Sequence, residues 1–191
     1  MIVRNAFNKT RAMLGVTSVQ VAADDNLITT TVDMKNGTYT IAAQPTSPSK
    51  IGVTVTKVGN ADTMGTITFV GTDIMDNALT EVVVPISDSV VWTTRYFKTV
   101  TTATAAGWVV SADTSKDTII IGIPATGGIE VRGQSIRFKA ISGAIFVNPI
   151  AVATTSSYKM AVGEVLDIGV SDVLSYISDG QAATFECIIF E

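Results

Sequence analysis

The stretch GTITFVGTDIMDNALTEVVVPI, Gly65 to Ile86, decides the fold. Ile67 and Phe69 share one face of its first half, and Val82, Val84 and Ile86 share one face of its second half. Both halves therefore have the two-residue period of β-strands. Between them lie Asp73, Asp76 and Asn77, which could serve calcium ligation, an acid/base carboxylate pair, or a turn. A calcium loop of the EF-hand kind needs acidic ligands at alternate positions, a glycine at the bend and a closing glutamate, all between helices. Here Ile74 and Met75 separate the two aspartates, and strands flank them. A carboxylate pair acting on a glycoside needs a sugar-binding cleft, usually with aromatic platforms. Aromatic residues make up 7% of the chain and are spread along strands, so no cleft is signalled. The reading is a turn, because Asx side chains bond to nearby backbone and tolerate left-handed conformations.

The same period continues on either side. GTYTIAAQP reads as a strand closed by Pro45, and IGVTVTKVG turns Ile51, Val53 and Val55 inward and Thr54 and Thr56 outward. SVVWTTRYFKTV reads as one strand, with Trp92 and Tyr96 on one side and Val91, Arg95 and Phe97 on the other. WVVSAD and DTIIIGI complete roughly seven short strands, the number of an Ig-like antiparallel sandwich over residues 24–123. PATGG, Pro124 to Gly128, is the linker expected between two cores. The pattern then restarts in a smaller β-sandwich or barrel over residues 129–191. There SIRFKAIS buries Ile136, Phe138 and Ala140 and exposes Arg137 and Lys139, and ATFECIIFE sets Phe185, Cys187 and Ile189 against Thr184, Glu186 and Ile188. Asp179-Gly180 is a hairpin turn signal. Residues 1–23 lack the alternation. They fit a short helix capped by Asn5 and ended by Gly15, or an extended N-terminal arm that orders against a neighbouring subunit. The expected fold is thus all-β with an N-terminal arm or helix.

Composition excludes several chemistries. The chain has no histidine and one cysteine, which removes imidazole bases, imidazole ligands, internal disulfides and thiolate metal sites. Cys187 reads as a small buried apolar side chain. No catalytic, cofactor-binding or metal-binding residues are expected. The net charge of -4 and the lack of any basic cluster argue against direct nucleic-acid binding. No apolar run approaches the roughly 20 residues that span a bilayer, so no membrane partner is expected. Trp92, Tyr96 and Trp108 could be imagined as a carbohydrate platform, although aromatics at this period are usually core. ATGGIEVRG lacks the spacing and following helix of a phosphate loop. Arg132, Arg137 and Lys139 read as the outward charges of a half-exposed strand. Charged residues are only 16% of the chain, against roughly 25% in an average protein. Threonine, alanine and serine stand in their place, giving a surface that loses little side-chain entropy on packing against a neighbour.

GTITFVGTD, NALTEVVVPI, VVWTTRYFKTVTT and DTIIIGI together resemble a recurrent β-domain of tailed-bacteriophage virion structural proteins. The resembling features are the strand ending Gly71-Thr72-Asp73, the entry Leu79 to Glu81, the strand Tyr96 to Val100 and the isoleucine-rich strand ending at Gly122. The segment from Ser157 to Glu191 is similar to the small β-domain that often closes such chains. The resemblance covers roughly Gly65 to Glu191 and departs at Asp76, where such turns usually carry glycine. It implies a non-enzymatic virion component, most simply a capsid decoration or cement protein that contacts the major capsid protein or other virion subunits and forms homo-oligomers. A neck, baseplate or tail component is the alternative within that class. A carbohydrate-binding or adhesin module is the alternative outside it.

Overall fold

The computed structural model describes residues 11–19, 22–57, 63–109, 117–130, 135–170 and 173–190. Those residues form sixteen strands in four sheets of four, and none of them is helical. The chain divides into two compact units. One runs from Ala22 to Gly128, and the other combines the chain before it with the chain after it.

The first strand, β1 (Arg11–Val19), belongs to the discontinuous unit. The continuous unit holds β2 (Asp24–Asp33), β3 (Gly37–Tyr39), β4 (Gly52–Thr56), β5 (Thr66–Thr72), β6 (Ala78–Val83), β7 (Val90–Trp92), β8 (Thr99–Ala106) and β9 (Thr118–Ile123). Its sheets are ordered β2-β9-β4-β7 and β3-β8-β5-β6, with antiparallel neighbours throughout. The pairs β5·β6, β4·β7, β3·β8 and β2·β9 are therefore nested, each enclosing the last and alternating between sheets. That is the order of an eight-stranded jelly roll. It replaces the Ig-like order expected from the sequence, in which the strands divide differently between the sheets.

The core lies between the two sheets. Ile28, Val53, Val55, Ile119, Ile121 and Ile123 come from one sheet, and Tyr39, Ile67, Phe69, Leu79, Val83 and Val100 from the other. Alternation put most of these inward, as the sequence indicated. SVVWTTRYFKTV departs from that reading. It is not one strand but two in different sheets, β7 and β8. Buried Thr93 lies in the crossing, where its hydroxyl accepts from the Ile51 N–H (2.9 Å) and donates to the Arg95 carbonyl (2.9 Å). Phe97 then bridges Ser49 and meets the Phe69 ring edge to face at 6.3 Å.

β3 is short, but side-chain amides extend its ladder at both ends. Gln44 pairs with the backbone of Val100, accepting at 2.7 Å and donating at 2.9 Å. Asn36 does the same with Trp108, both bonds at 2.9 Å. Each amide presents one donor and one acceptor, as a strand residue would.

The other unit adds β10 (Gly127–Glu130), β11 (Ser135–Ser142), β12 (Ile145–Asn148), β13 (Tyr158–Met160), β14 (Val165–Gly169), β15 (Val173–Ser178) and β16 (Ala183–Phe190). Its sheets read β1-β16-β11-β14 and β10-β15-β12-β13. The nested pairs are β12·β13, β11·β14, β10·β15 and β1·β16, so the jelly-roll order appears a second time. An aromatic cluster joins its two sheets: Phe138 stacks on Phe185 at 4.5 Å, and Tyr176 lies 4.8 Å from Phe185. The β-sandwich expected over residues 129–191 is present but takes β1 as an added strand, and the expectation for the N-terminal segment is corrected over its described residues. Arg11–Val19 is neither arm nor helix but an edge strand of the sheet that holds β16, with Gly15 inside it. Asn5 lies outside the described residues.

Gly71 shows how closely β5 and β8 approach where their register shifts. A Cβ there would sit 1.9 Å from the Thr99 carbonyl oxygen, and backbone cannot yield as a flexible side-chain tip can. Gly71→Ala is expected to destabilise the protein by about 1–3 kcal/mol. Gly169→Ala, with nothing within 4 Å, should stay within about 0.5 kcal/mol of wild type. Urea denaturation measures both.

Candidate functional site

The hairpin between β5 and β6 uses its carboxylates internally. Asp73 Oδ1 accepts from the N–H groups of Met75 and Asn77, both at 2.9 Å, and its Oδ2 accepts from Asn77 Nδ2 at 3.2 Å. Arg95 lies 3.9 Å from the same carboxylate, and Lys98 Nζ lies 2.7 Å from Asp76 Oδ1. Glu81 spans the start of the β7 to β8 crossing, accepting from Thr94 N–H (2.6 Å), Thr94 Oγ1 (2.9 Å) and Arg95 N–H (3.1 Å). The turn is thus an Asx cap tied to two cations. Asp76 has φ 62°, the left-handed conformation that glycine takes without cost, so the departure noted at this position leaves the backbone geometry in place. Asp76→Gly is expected to stay within about 1 kcal/mol of wild type. Asp76→Val, β-branched in the left-handed region, should lose about 1–2 kcal/mol by chemical denaturation.

The structure does not bring the three imagined platform aromatics together on a surface. Trp108 is in the core of the continuous unit, the Trp92 ring covers Gly52, and the Tyr96 ring covers Gly128 with Lys50 Nζ 5.5 Å from its centroid. Arg137 is committed to a bidentate pair with Asp167 at 2.7 and 2.8 Å, which holds the Asp167 carboxyl below its ordinary range. Arg132 lies outside the described residues. Gly127 and Gly128 open a strand.

Cys187 is fully buried on β16, and burial pushes its thiol up to about 12. The neutral thiol is thereby favoured in the folded state. Its contribution to stability is complete below the ordinary thiol pKa of 9.0 and is lost as pH rises towards about 12. Native protein at pH 8 is expected to resist iodoacetamide, and protein unfolded in guanidinium should take up one equivalent, as read by mass spectrometry.

The outer face of the sheet β3-β8-β5-β6 remains. Thr38, Thr104, Thr68 and Val82 stand in line across all four strands, and Thr102, Val70 and Thr80 form the next line. No outward-facing residue of these strands is charged. Two pairs of threonines bond to one another, Thr38 to Thr104 at 3.3 Å and Thr72 to Thr99 at 2.8 Å, and Val70 and Val82 stand exposed beside them. Val82, Val84 and Ile86 do share a face, as the sequence indicated, but it is the exposed one, at 55%, 62% and 58%. Leu79 and Val83 are the β6 residues that enter the core. The sequence carried a signal for this face in the Thr-x-Thr runs of β5 and β8, although periodicity alone does not say which of two uncharged faces is buried.

A cavity of about 160 Å³ lies beside this sheet between β2 and β3, lined mainly by Thr29, Thr30, Lys35, Thr38 and Thr40. The Thr29 hydroxyl is already bonded to the Thr40 carbonyl at 3.1 Å. Compared with known proteins, the chain matches no family model and no curated protein.

Proposed function

We propose that the protein is a non-enzymatic structural component of a tailed-bacteriophage virion, a decoration or cement protein that stabilises the capsid by repeated surface contacts. The observation that carries this reading is the uncharged threonine and valine face of the sheet β3-β8-β5-β6. Such a face desolvates without stranding a charge, and its short side chains lose little rotamer freedom on burial. The resemblance in the strand and turn pattern points in the same direction, and jelly rolls recur among capsid proteins. The partners are the major capsid protein or other virion subunits, and further copies of this chain. Each contact is modest, and repetition on a symmetric lattice supplies the strength.

The test is the number of copies in virions made by the genome that encodes the chain, measured by quantitative mass spectrometry. On the order of hundreds of copies per particle fits a capsid lattice, whereas a few to a few dozen fit a neck, baseplate or tail. Absence from the particle overturns the reading, and a glycan-array signal would then favour the adhesin alternative. Thr104→Lys, at the centre of the face, should leave the melting temperature unchanged. It should weaken binding to particles lacking the protein by about tenfold or more.

A further inference from the structure

The sheet β3-β8-β5-β6 ends on β6, and this edge lacks the lysine, the bulge and the blocking proline that often keep an edge strand from pairing. Asp73 N–H donates to the Asn77 carbonyl, and alternation along the hairpin register makes Gly71·Leu79, Phe69·Glu81 and Ile67·Val83 the bonded pairs. The N–H and C=O groups of Thr80 and Val82, and those of Val84 beyond the strand end, therefore point away from β5 to the open edge. β6 has no lysine or arginine, and its pairing with β5 has no bulge. Pro85 falls at a position whose nitrogen faces inward. The strand's one charge, Glu81, is held by the N–H groups of Thr94 and Arg95.

The other described edges differ. β3, β7 and β13 have three residues each and β10 has four, and the pairing of β1 with β16 is broken by a register shift. β2 is broken by register shifts and carries Asp24, Asp25 and Asp33, and β14 carries Asp167 in its ion pair.

The geometry points to β6 as a homotypic pairing edge: two copies of the chain join β6 to β6 antiparallel about a twofold axis, making one continuous eight-stranded sheet. A strand paired antiparallel with itself matches donors to acceptors automatically. In the register centred on Val82, the two Val82 side chains face each other and Thr80 of one copy faces Val84 of the other. The register centred on Glu81 would set two glutamates opposite and is disfavoured. A second copy fits this edge better than a foreign strand, because the edge offers neither charge nor side-chain pocket to select a sequence. The adjoining outer faces, being uncharged, sit side by side without repulsion. One strand pair buries less than the roughly 1,200 Å² of a stable interface, so the dimer depends on concentration.

The edge geometry does not depend on the virion reading, and the test uses purified full-length protein. Sedimentation equilibrium should show a concentration-dependent dimer. Thr80→Pro removes an outward N–H that β5 does not use, and Val82→Lys places a charge at the twofold; both should give monomers with unchanged circular dichroism. Val82→Cys should form a disulfide-linked dimer on mild oxidation, while Ile150→Cys, at a site 91% exposed and remote from β6 in the chain, should not. Wild type that stays monomeric at its highest attainable concentration overturns the proposal and leaves the edge to another protein's strand. A dimer that persists in both Val82→Lys and Thr80→Pro overturns it as well.

Discussion

The hairpin closed at Asp73 is the constraint on which the Ala22–Gly128 unit depends. In a nested fold the register of the central pair sets the positions that each enclosing pair must match, and here the central pair is β5·β6. Its closure is local. Asp73 satisfies the N–H groups of Met75 and Asn77, and Asp76 accepts a left-handed backbone. Lys98 and Arg95, which neutralise those carboxylates, lie on the segment that leads into β8, the strand on the other side of β5. The turn thus links the first pairing to the second through charge as well as through the ladder. A slip of one residue would turn Ile67 and Phe69 outward and bring Thr68 and Val70 into the core.

The sequence made the faces of strands legible, and much less of their partners. Period two placed Ile51, Val53 and Val55, then Ile136, Phe138 and Ala140, and then Phe185, Cys187 and Ile189 in the core, because each of those strands buries one face and leaves the other half exposed. It failed where another device replaces the ladder. Thr93 breaks what reads as a single strand by taking two backbone bonds on its own hydroxyl. Gln44 and Asn36 finish β3 with side chains, so its backbone strand is only Gly37–Tyr39. The exposed row Val82, Val84 and Ile86 is as apolar as a core row, and only the sheet order decides against it. The absence of a charged catalytic cluster was an expectation from composition. The uncharged outer face was hinted at by the threonine content and became a definite surface only once cross-strand register aligned Thr38, Thr104, Thr68 and Val82.

Nested pairing also explains why the chain ends could not be read locally. β1 pairs with β16, so Arg11 lies opposite Phe190, and nothing near either strand in sequence announces the other. A nested set of pairs tolerates an insertion between its outermost strand and the rest, provided the insert closes on itself. β2 to β9 do so, since every one of their ladder partners lies within that set. The cost is kinetic, because long-range pairings wait for loop closure over the whole insert. Residues 129–190 alone would lack β1 and leave one side of β16 open, and β16 is an eight-residue strand with Phe185, Cys187 and Ile189 on its inner face.

Jelly-roll order by itself does not select a function, because the same order serves capsid and lectin domains alike. What separates these uses is where polar groups are left unsatisfied. A glycan site holds hydroxyl and amide groups free for a ligand. On the face described here several threonine hydroxyls are turned to one another or to backbone, Thr38 to Thr104, Thr72 to Thr99, and Thr101 to the Val70 carbonyl at 2.9 Å. The neighbouring Val70 and Val82 are exposed beside them. A surface so arranged gains by losing water over a broad area and asks little geometric precision of its partner. Those are the terms on which a lattice of many identical weak contacts becomes strong.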